Sequence, residues 1–167
     1  MLITELYLIR HGIAAERGTY AHDHERPLTE QGQHKTRTIA KRLKALDMRF
    51  DLILTSPLIR AQQTAQILQS VGLSTSLKIT PELAPEGRFE GWLQWLRQWQ
   101  QSEHTALALV GHEPDLSSWA EKLIWGEVKQ RLILKKAGVI GLKVPQADLA
   151  IGHSQLFWLT APKFFIL

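Results

Sequence analysis

Hydrophobic and polar positions along this chain alternate between two periods. Short apolar runs at residues 3–9, 51–55 and 105–110 read as strands buried on both faces of a sheet. Between them, apolar residues recur three and four apart, as in amphipathic helices. One such helix opens after Pro27-Leu28, with Thr29 as N-cap and Glu30 in the first turn. It turns Ile39, Ala40, Leu43 and Leu46 to one face and ends near Asp47. Gly32, a poor helix former, suits a place where another backbone passes close by. A second helix is expected from Ser56-Pro57, read as N-cap and first residue, through Leu58, Ala61, Ala65 and Leu68 to about Ser70. A weak strand over 77–80, a turn over 81–87 and a helix over 88–101 follow. Trp92, Trp95, Leu96 and Trp99 mark one stripe of that helix, read as core. Pro114 begins a further helix with Leu116, Trp119, Ala120, Leu123 and Ile124 inward.

Beyond Gly126 the helical pattern gives way to paired strands at 138–144 and 155–160, joined by a loop through Asp148 and Gly152. The apolar tail 164–167 either packs back or meets a partner. Alternating strands and helices followed by a strand pair predict an α/β fold in three layers, α/β/α. Its central sheet is mostly parallel, with an antiparallel edge. No repeat or linker interrupts the chain, so residues 1–167 are expected to form a single domain.

Composition adds exclusions. With 44% hydrophobic and 22% charged residues, the 167-residue chain has an ordinary globular balance. No apolar run approaches the roughly 18 residues of a membrane span. The N-terminus reads as a strand, because it lacks the basic region and small-residue cleavage site of a signal peptide. Cysteine is absent, which excludes disulfides and thiolate metal sites and fits a cytoplasmic setting. The net charge of +4 is spread along the chain rather than gathered into an aromatic-studded stripe, so a phosphate or an acidic protein surface is a better partner than nucleic acid.

The chemistry lies where the strands stop. The first run ends in Arg10-His11-Gly12, the second leads into Ser56-Pro-Leu-Ile-Arg60, and the third ends in Gly111-His112. Parallel neighbouring strands would bring these groups to one carboxyl edge, the usual ligand edge of open α/β sheets. Two guanidinium forks, two imidazoles and a helix N-terminus suit a phosphoryl group, whose transition state spreads negative charge over equatorial oxygens. One histidine can attack phosphorus if nearby arginines keep it neutral, and the other can donate a hydrogen bond to the transferred group. His22-Asp23-His24 has a metal-like spacing but no further ligand cluster, and reads as a solvated loop. Nucleophile-elbow and P-loop patterns are missing.

The segments LIRHG (8–12), RPLTEQG (26–32), SPLIRAQQTA (56–65) and VGHEP (110–114) resemble the histidine phosphatase superfamily, which shares the phosphoglycerate mutase-like fold. Within it the chain is most similar to the small SixA-type phosphohistidine phosphatases. The resemblance implies His11 as phosphoryl-accepting nucleophile, with Arg10, Arg26, Arg60 and His112 on the phosphoryl oxygens, and no metal or organic cofactor. It also implies a carboxylate acid. Glu82 fits one family position and is the first choice, with Glu86 nearby and Glu113 at the other position. The stretch between Arg60 and His112 is too short for the cover found over sugar-phosphate sites, so an open mouth is expected. That points to a histidine-phosphorylated protein, such as a phosphotransfer domain, as substrate. The alternatives are a small-molecule phosphomonoesterase using Glu82, and a non-catalytic phosphoprotein-binding module.

Overall fold

The computed structural model describes residues 2–166. Six strands form one sheet, in the order β3-β2-β4-β1-β5-β6. The strands are β1 Thr4–Arg10, β2 Leu52–Thr55, β3 Leu77–Ile79, β4 Ala106–Gly111, β5 Val139–Val144 and β6 Gln155–Thr160. β3, β2, β4 and β1 run parallel, whereas β5 pairs antiparallel with both β1 and β6. This is the mostly parallel sheet with an antiparallel edge expected from the sequence.

Period-two alternation sends successive side chains of the central strands to opposite faces. Leu6 and Leu8 of β1, Leu52 and Leu54 of β2, and Leu107 and Leu109 of β4 meet Trp92, Leu96, Trp119 and Leu123. Those partners come from helices α3 (Phe89–Trp99) and α4 (Asp115–Trp125). On the other face Tyr7, Ile9, Ile53, Ala108 and Val110 pack on Ile39, Leu43, Ala65 and Leu68 of α1 (Glu30–Ala45) and α2 (Ile59–Ser70). Helices therefore cover both faces and leave the strand ends open.

The local expectations hold with two corrections. Thr29 caps α1 by accepting the Gly32 N–H, and a Cβ at Gly32 would strike the Ile13 carbonyl, which is why that helix carries a glycine in its first turn. Ser56 does not cap α2, which begins at Ile59 with Leu58 as N-cap. Its buried hydroxyl is engaged elsewhere, as described below. In the Trp stripe, Trp92 is buried in the core while Trp95 and Trp99 stack on each other as partly buried residues at its margin. In the C-terminal tail, Phe165 packs edge-on against Trp158 while Phe164 stays exposed. Leu167 lies outside the described residues.

Candidate active site

β1 and β4 are hydrogen-bonded neighbours with Arg10 opposite Gly111, so His11 and His112 leave adjacent strand ends together. Their rings stand 5.2 Å apart between centroids. β2 lies on the far side of β4, and the chain leaving it delivers Arg60 in the first turn of α2. A cavity of about 530 Å³ opens there, lined by Arg10, His11, Arg26, Arg60 and His112 among others. Glu113 lines it as well, but Glu82 and Glu86 do not.

Each imidazole has one nitrogen fixed by a neighbour. His11 Nδ1 lies 2.7 Å from the Gly12 carbonyl, which can only accept, so Nδ1 carries the proton and Nε2 keeps its lone pair. Burial foremost, then His112, Arg60 and Arg10, hold the ring down to a pKa of about 3 against the opposing pull of the Gly12 carbonyl. His11 is thus a neutral imidazole with a free nucleophilic nitrogen at neutral pH. The Gly12 N–H donates to Thr64 Oγ1 at 3.0 Å, and the Thr64 hydroxyl donates to the Arg60 carbonyl at 2.8 Å. These bonds tie the His11 turn to the start of α2. A side chain at Gly12 would run into Thr36 Oγ1, so α1 also presses this turn into place.

His112 Nε2 is 2.7 Å from Ser56 Oγ, and the same oxygen accepts the Leu58 N–H at 3.1 Å. The serine is fully buried, and no other acceptor for its O–H exists among the described residues. Were the ring to donate from Nε2, that hydroxyl proton would be stranded, at a cost of about 1–3 kcal/mol. With Ser56 assigned as donor to Nε2, the single proton of the neutral ring sits on Nδ1. Burial, then Arg60, lower this histidine to about pKa 4, with Asp23 opposing.

Among the described residues four buried side-chain nitrogens have no protein partner: Trp92 Nε1 in the core, and Arg10 Nε, Arg60 Nε and His112 Nδ1, whose residues line the cavity. Buried donors are normally satisfied, and one left alone costs free energy.

Several other guanidinium nitrogens hold the arginines in place. Arg60 Nη1 and Nη2 donate to the carbonyl and carboxylate of Asp23 at 2.9 and 3.0 Å. Arg26 Nε donates to the other Asp23 oxygen at 2.8 Å, and its Nη1 to the Ala15 carbonyl at 2.6 Å. Burial would raise the Asp23 carboxyl, but the bonds from Arg26 and Arg60 outweigh it and hold the group below the ordinary carboxylate range. Arg10 Nη1 donates to the Leu134 carbonyl at 3.1 Å. Leu134 ends a loop whose N–H groups at Lys129, Gln130, Arg131 and Leu132 all donate to the buried carboxylate of Glu121, at 2.6–2.8 Å. Those four bonds outweigh burial and keep Glu121 ionised.

The candidate acids are placed differently. Glu82 Oε2 accepts the Arg88 N–H at 3.1 Å, and the carboxylate lies over Gly91 in the first turn of α3. It holds the start of a helix rather than facing the cavity. Glu86 is exposed, and Glu113 accepts from the backbone and hydroxyl of Ser117 in α4.

Sequence reasoning missed Asp23, Ser56 and Glu121. The pattern around Asp23 reads as solvated loop, although an acid three residues before Arg26 is an ion-pair spacing. Ser56 before Pro57 reads as a helix cap. Glu121 left one faint signal, a carboxylate beside the apolar stripe of α4 with no base three or four residues away. Among the described residues, no group of three or more acidic or histidine side chains is arranged to hold a metal ion. Nor is any helix there long and apolar enough to cross a membrane.

Comparison with known proteins agrees with this geometry. The sequence pattern of the histidine phosphatase superfamily (branch 1) matches residues 6–131, from β1 through α4 and into the following loop. An uncharacterized protein of Picosynechococcus sp. is 46% identical over 163 residues, covering 97% of this chain and 99% of that protein. The phosphohistidine phosphatase SixA of Escherichia coli is 29% identical over 124 residues, 74% of this chain and 76% of SixA. A structure of the protein histidine phosphatase SixA complexed with tungstate superposes with a TM-score of 0.84, at 24% identity, over 96% of this chain and 99% of that one. The chain belongs to the histidine phosphatase superfamily, branch 1, as a SixA-like hydrolase.

Proposed function

We propose that this protein removes the phosphoryl group from a histidine-phosphorylated protein through a phosphohistidine intermediate on His11. The observation that carries the reading is the set of unpartnered buried donors, Arg10 Nε, Arg60 Nε and His112 Nδ1, around a neutral His11 whose Nε2 is free. The donors would hold the equatorial oxygens, with Arg26 steering the dianion in. His11 Nε2 attacks phosphorus in line. The new P–N bond forms as the substrate's P–N bond breaks, and the substrate imidazole departs and takes a proton from solvent. The His11 ring gains positive charge in this step, which its Nδ1–H passes in part to the Gly12 carbonyl. Water then attacks phosphorus, releasing phosphate and restoring neutral His11.

The leaving group favours a phosphohistidine over an ester. An alkoxide needs a strong proton donor, whereas imidazole is protonated near neutrality. Glu82 is bound to the α3 start and away from the cavity, and Glu113, which lines the cavity, has its Oε2 held by Ser117. In this reading the substrate is a histidine-bearing phosphotransfer domain in the cytoplasm, and the enzyme works as one domain, residues 1–167, without metal or organic cofactor. The test compares turnover of such a phosphoprotein with that of sugar phosphates. Faster turnover of the phosphoprotein, with acid-labile, base-stable label on the enzyme that vanishes in His11→Ala, is the expected result. Preference for the esters would instead favour the phosphomonoesterase reading, and phosphate binding without any label would favour a binding module.

A further inference from the structure

On the other side of Arg10 lies a second cavity of about 360 Å³, and Arg10 and Lys136 line both. The two differ in charge. The catalytic cavity sets its cations against Glu16, Asp23 and Glu113, but no carboxylate lines the second one. Its floor is apolar, made by Ile13, Ile39, Ala137 and Pro162, and its rim carries Lys35, Lys135 and Lys136. None of these lysines makes an ion pair among the described residues. Burial first, then Arg10, Arg26 and Arg17, lower Lys136, as expected of a partly buried cation with arginines nearby. Like charges gathered without a counter-ion destabilise a fold. The protein carries a net charge of only +4, and three of its lysines stand around this one hollow.

We infer that this second cavity is the docking seat for the stretch of the substrate protein that adjoins its phosphohistidine. The seat takes an apolar side chain on its Ile13–Pro162 floor and flanking carboxylates on Lys35 and Lys135. The inference rests on the phosphohistidine-protein reading and adds to it how a partner is chosen. Continuity with the catalytic cavity supports the occupant. A chain that presents a phosphoryl group to His11 passes Arg10 and meets this hollow next. The apolar floor supplies burial without polar matching, and the lysine rim supplies steering and rejection of basic partners.

Two variants test the seat without touching the residues around His11: Lys35→Glu with Lys135→Glu, and Pro162→Trp, which fills the floor. Each is assayed on a panel of histidine-phosphorylated phosphotransfer domains with acidic or basic surroundings and on free phosphohistidine. The expected result is a KM about 10-fold higher for acidic phosphoproteins with little change in kcat. The wild-type preference for acidic over basic partners is lost in the charge variant, and its kcat/KM loses most of its salt dependence. Unchanged hydrolysis of free phosphohistidine shows that both variants are folded and their chemistry intact. Wild-type kinetics on the phosphoproteins in both variants overturns the seat while leaving the reaction standing. An equal loss on free phosphohistidine also overturns it, since the lysines then serve the phosphate and not a partner. Failure of the wild-type enzyme to act on any phosphohistidine protein removes the reading itself, and the seat with it.

Discussion

The candidate catalytic cavity has two kinds of wall. One is made by strand ends: His11 after β1, His112 after β4, and Arg60 just inside α2. The other is made by the loop of residues 13–27, carrying Asp23 and Arg26, and is backed by residues 127–134, which Glu121 holds and whose Leu134 carbonyl receives Arg10. The strand-end wall is buried and keeps its free nitrogens for the cavity: His11, Arg60 and His112 are only 7%, 4% and 4% exposed. The loop wall spends its polar groups on holding others. Asp23 grips two arginines, and Glu121 fixes the loop whose Leu134 carbonyl receives Arg10. Chemistry here sits on rigid sheet ends, and aim is supplied by two carboxylates that need never touch the substrate.

This division can be broken in order of severity. His11→Ala removes the proposed nucleophile, and phosphoenzyme formation should fall by at least ~1000-fold, measured as label on the protein. Arg60→Ala removes one strand-end donor and leaves Asp23 without a partner for one oxygen. The loss in kcat/KM should be about 100- to 1000-fold, as for a preorganised donor to a transition-state oxygen. Ser56→Ala leaves the His112 ring in place but frees its tautomer. Turnover should fall by about 10- to 100-fold, the range for a residue that orients another. Nitrogen NMR of His112 should show protonated Nδ1 in the wild type and mixed tautomers in the variant. Protonated Nε2 in the wild type would refute the role given to Ser56.

The loop wall should respond in stability as much as in rate. Glu121→Gln replaces an acceptor of four backbone N–H groups with an amide that turns donors toward them. A loss of about 3 kcal/mol in denaturant unfolding is expected, with turnover reduced through Arg10. If activity fell with no change in stability, Glu121 would belong with the strand-end wall. Glu82→Gln should leave phosphohistidine hydrolysis within about twofold, since an amide oxygen can still accept from Arg88.

The pH dependence follows from the same wall. His11 and His112 are uncharged in the folded protein down to about pH 3 and 4, whereas unfolded histidine takes a proton near 6.5. Below about 6.5 the unfolded chain therefore binds more protons, and folding stability falls as pH drops toward 4. His11→Ala should flatten that slope in chemical unfolding measured from pH 7 to 4, and an unchanged slope would show the ring charged in the native state.

Much of the strand-end wall was legible because it is written in short motifs. An apolar run, then Arg10-His11-Gly12 or Gly111-His112, names both a strand and what stands at its end. Parallel order then follows from the alternation of strands and helices. The acid was not legible in this way. Glu82 sits in a family-like position, but the start of α3 folds over it and takes its carboxylate as an acceptor. Ser56 misled for a related reason, since a serine before a proline satisfies the rule for a helix cap while its hydroxyl is drawn to His112. Asp23 and Glu121 lay in segments whose local pattern says only loop and helix.

By itself, the sequence determined the layers, the positions of the strand ends, and the residue types offered there. Apolar periodicity and terminal residues are local properties, and they survive any rearrangement of distant parts. Tertiary structure alone decided which donors stay free and which are used up. That depends on partners far along the chain: Asp23 for Arg60, Ser56 for His112, Leu134 for Arg10. Each hydrogen bond takes up one N–H or lone pair that a phosphoryl group could otherwise use. Only when the chain has closed on itself do Arg10 Nε, Arg60 Nε and His112 Nδ1 stand out, among the cavity's residues, as buried nitrogens without a partner.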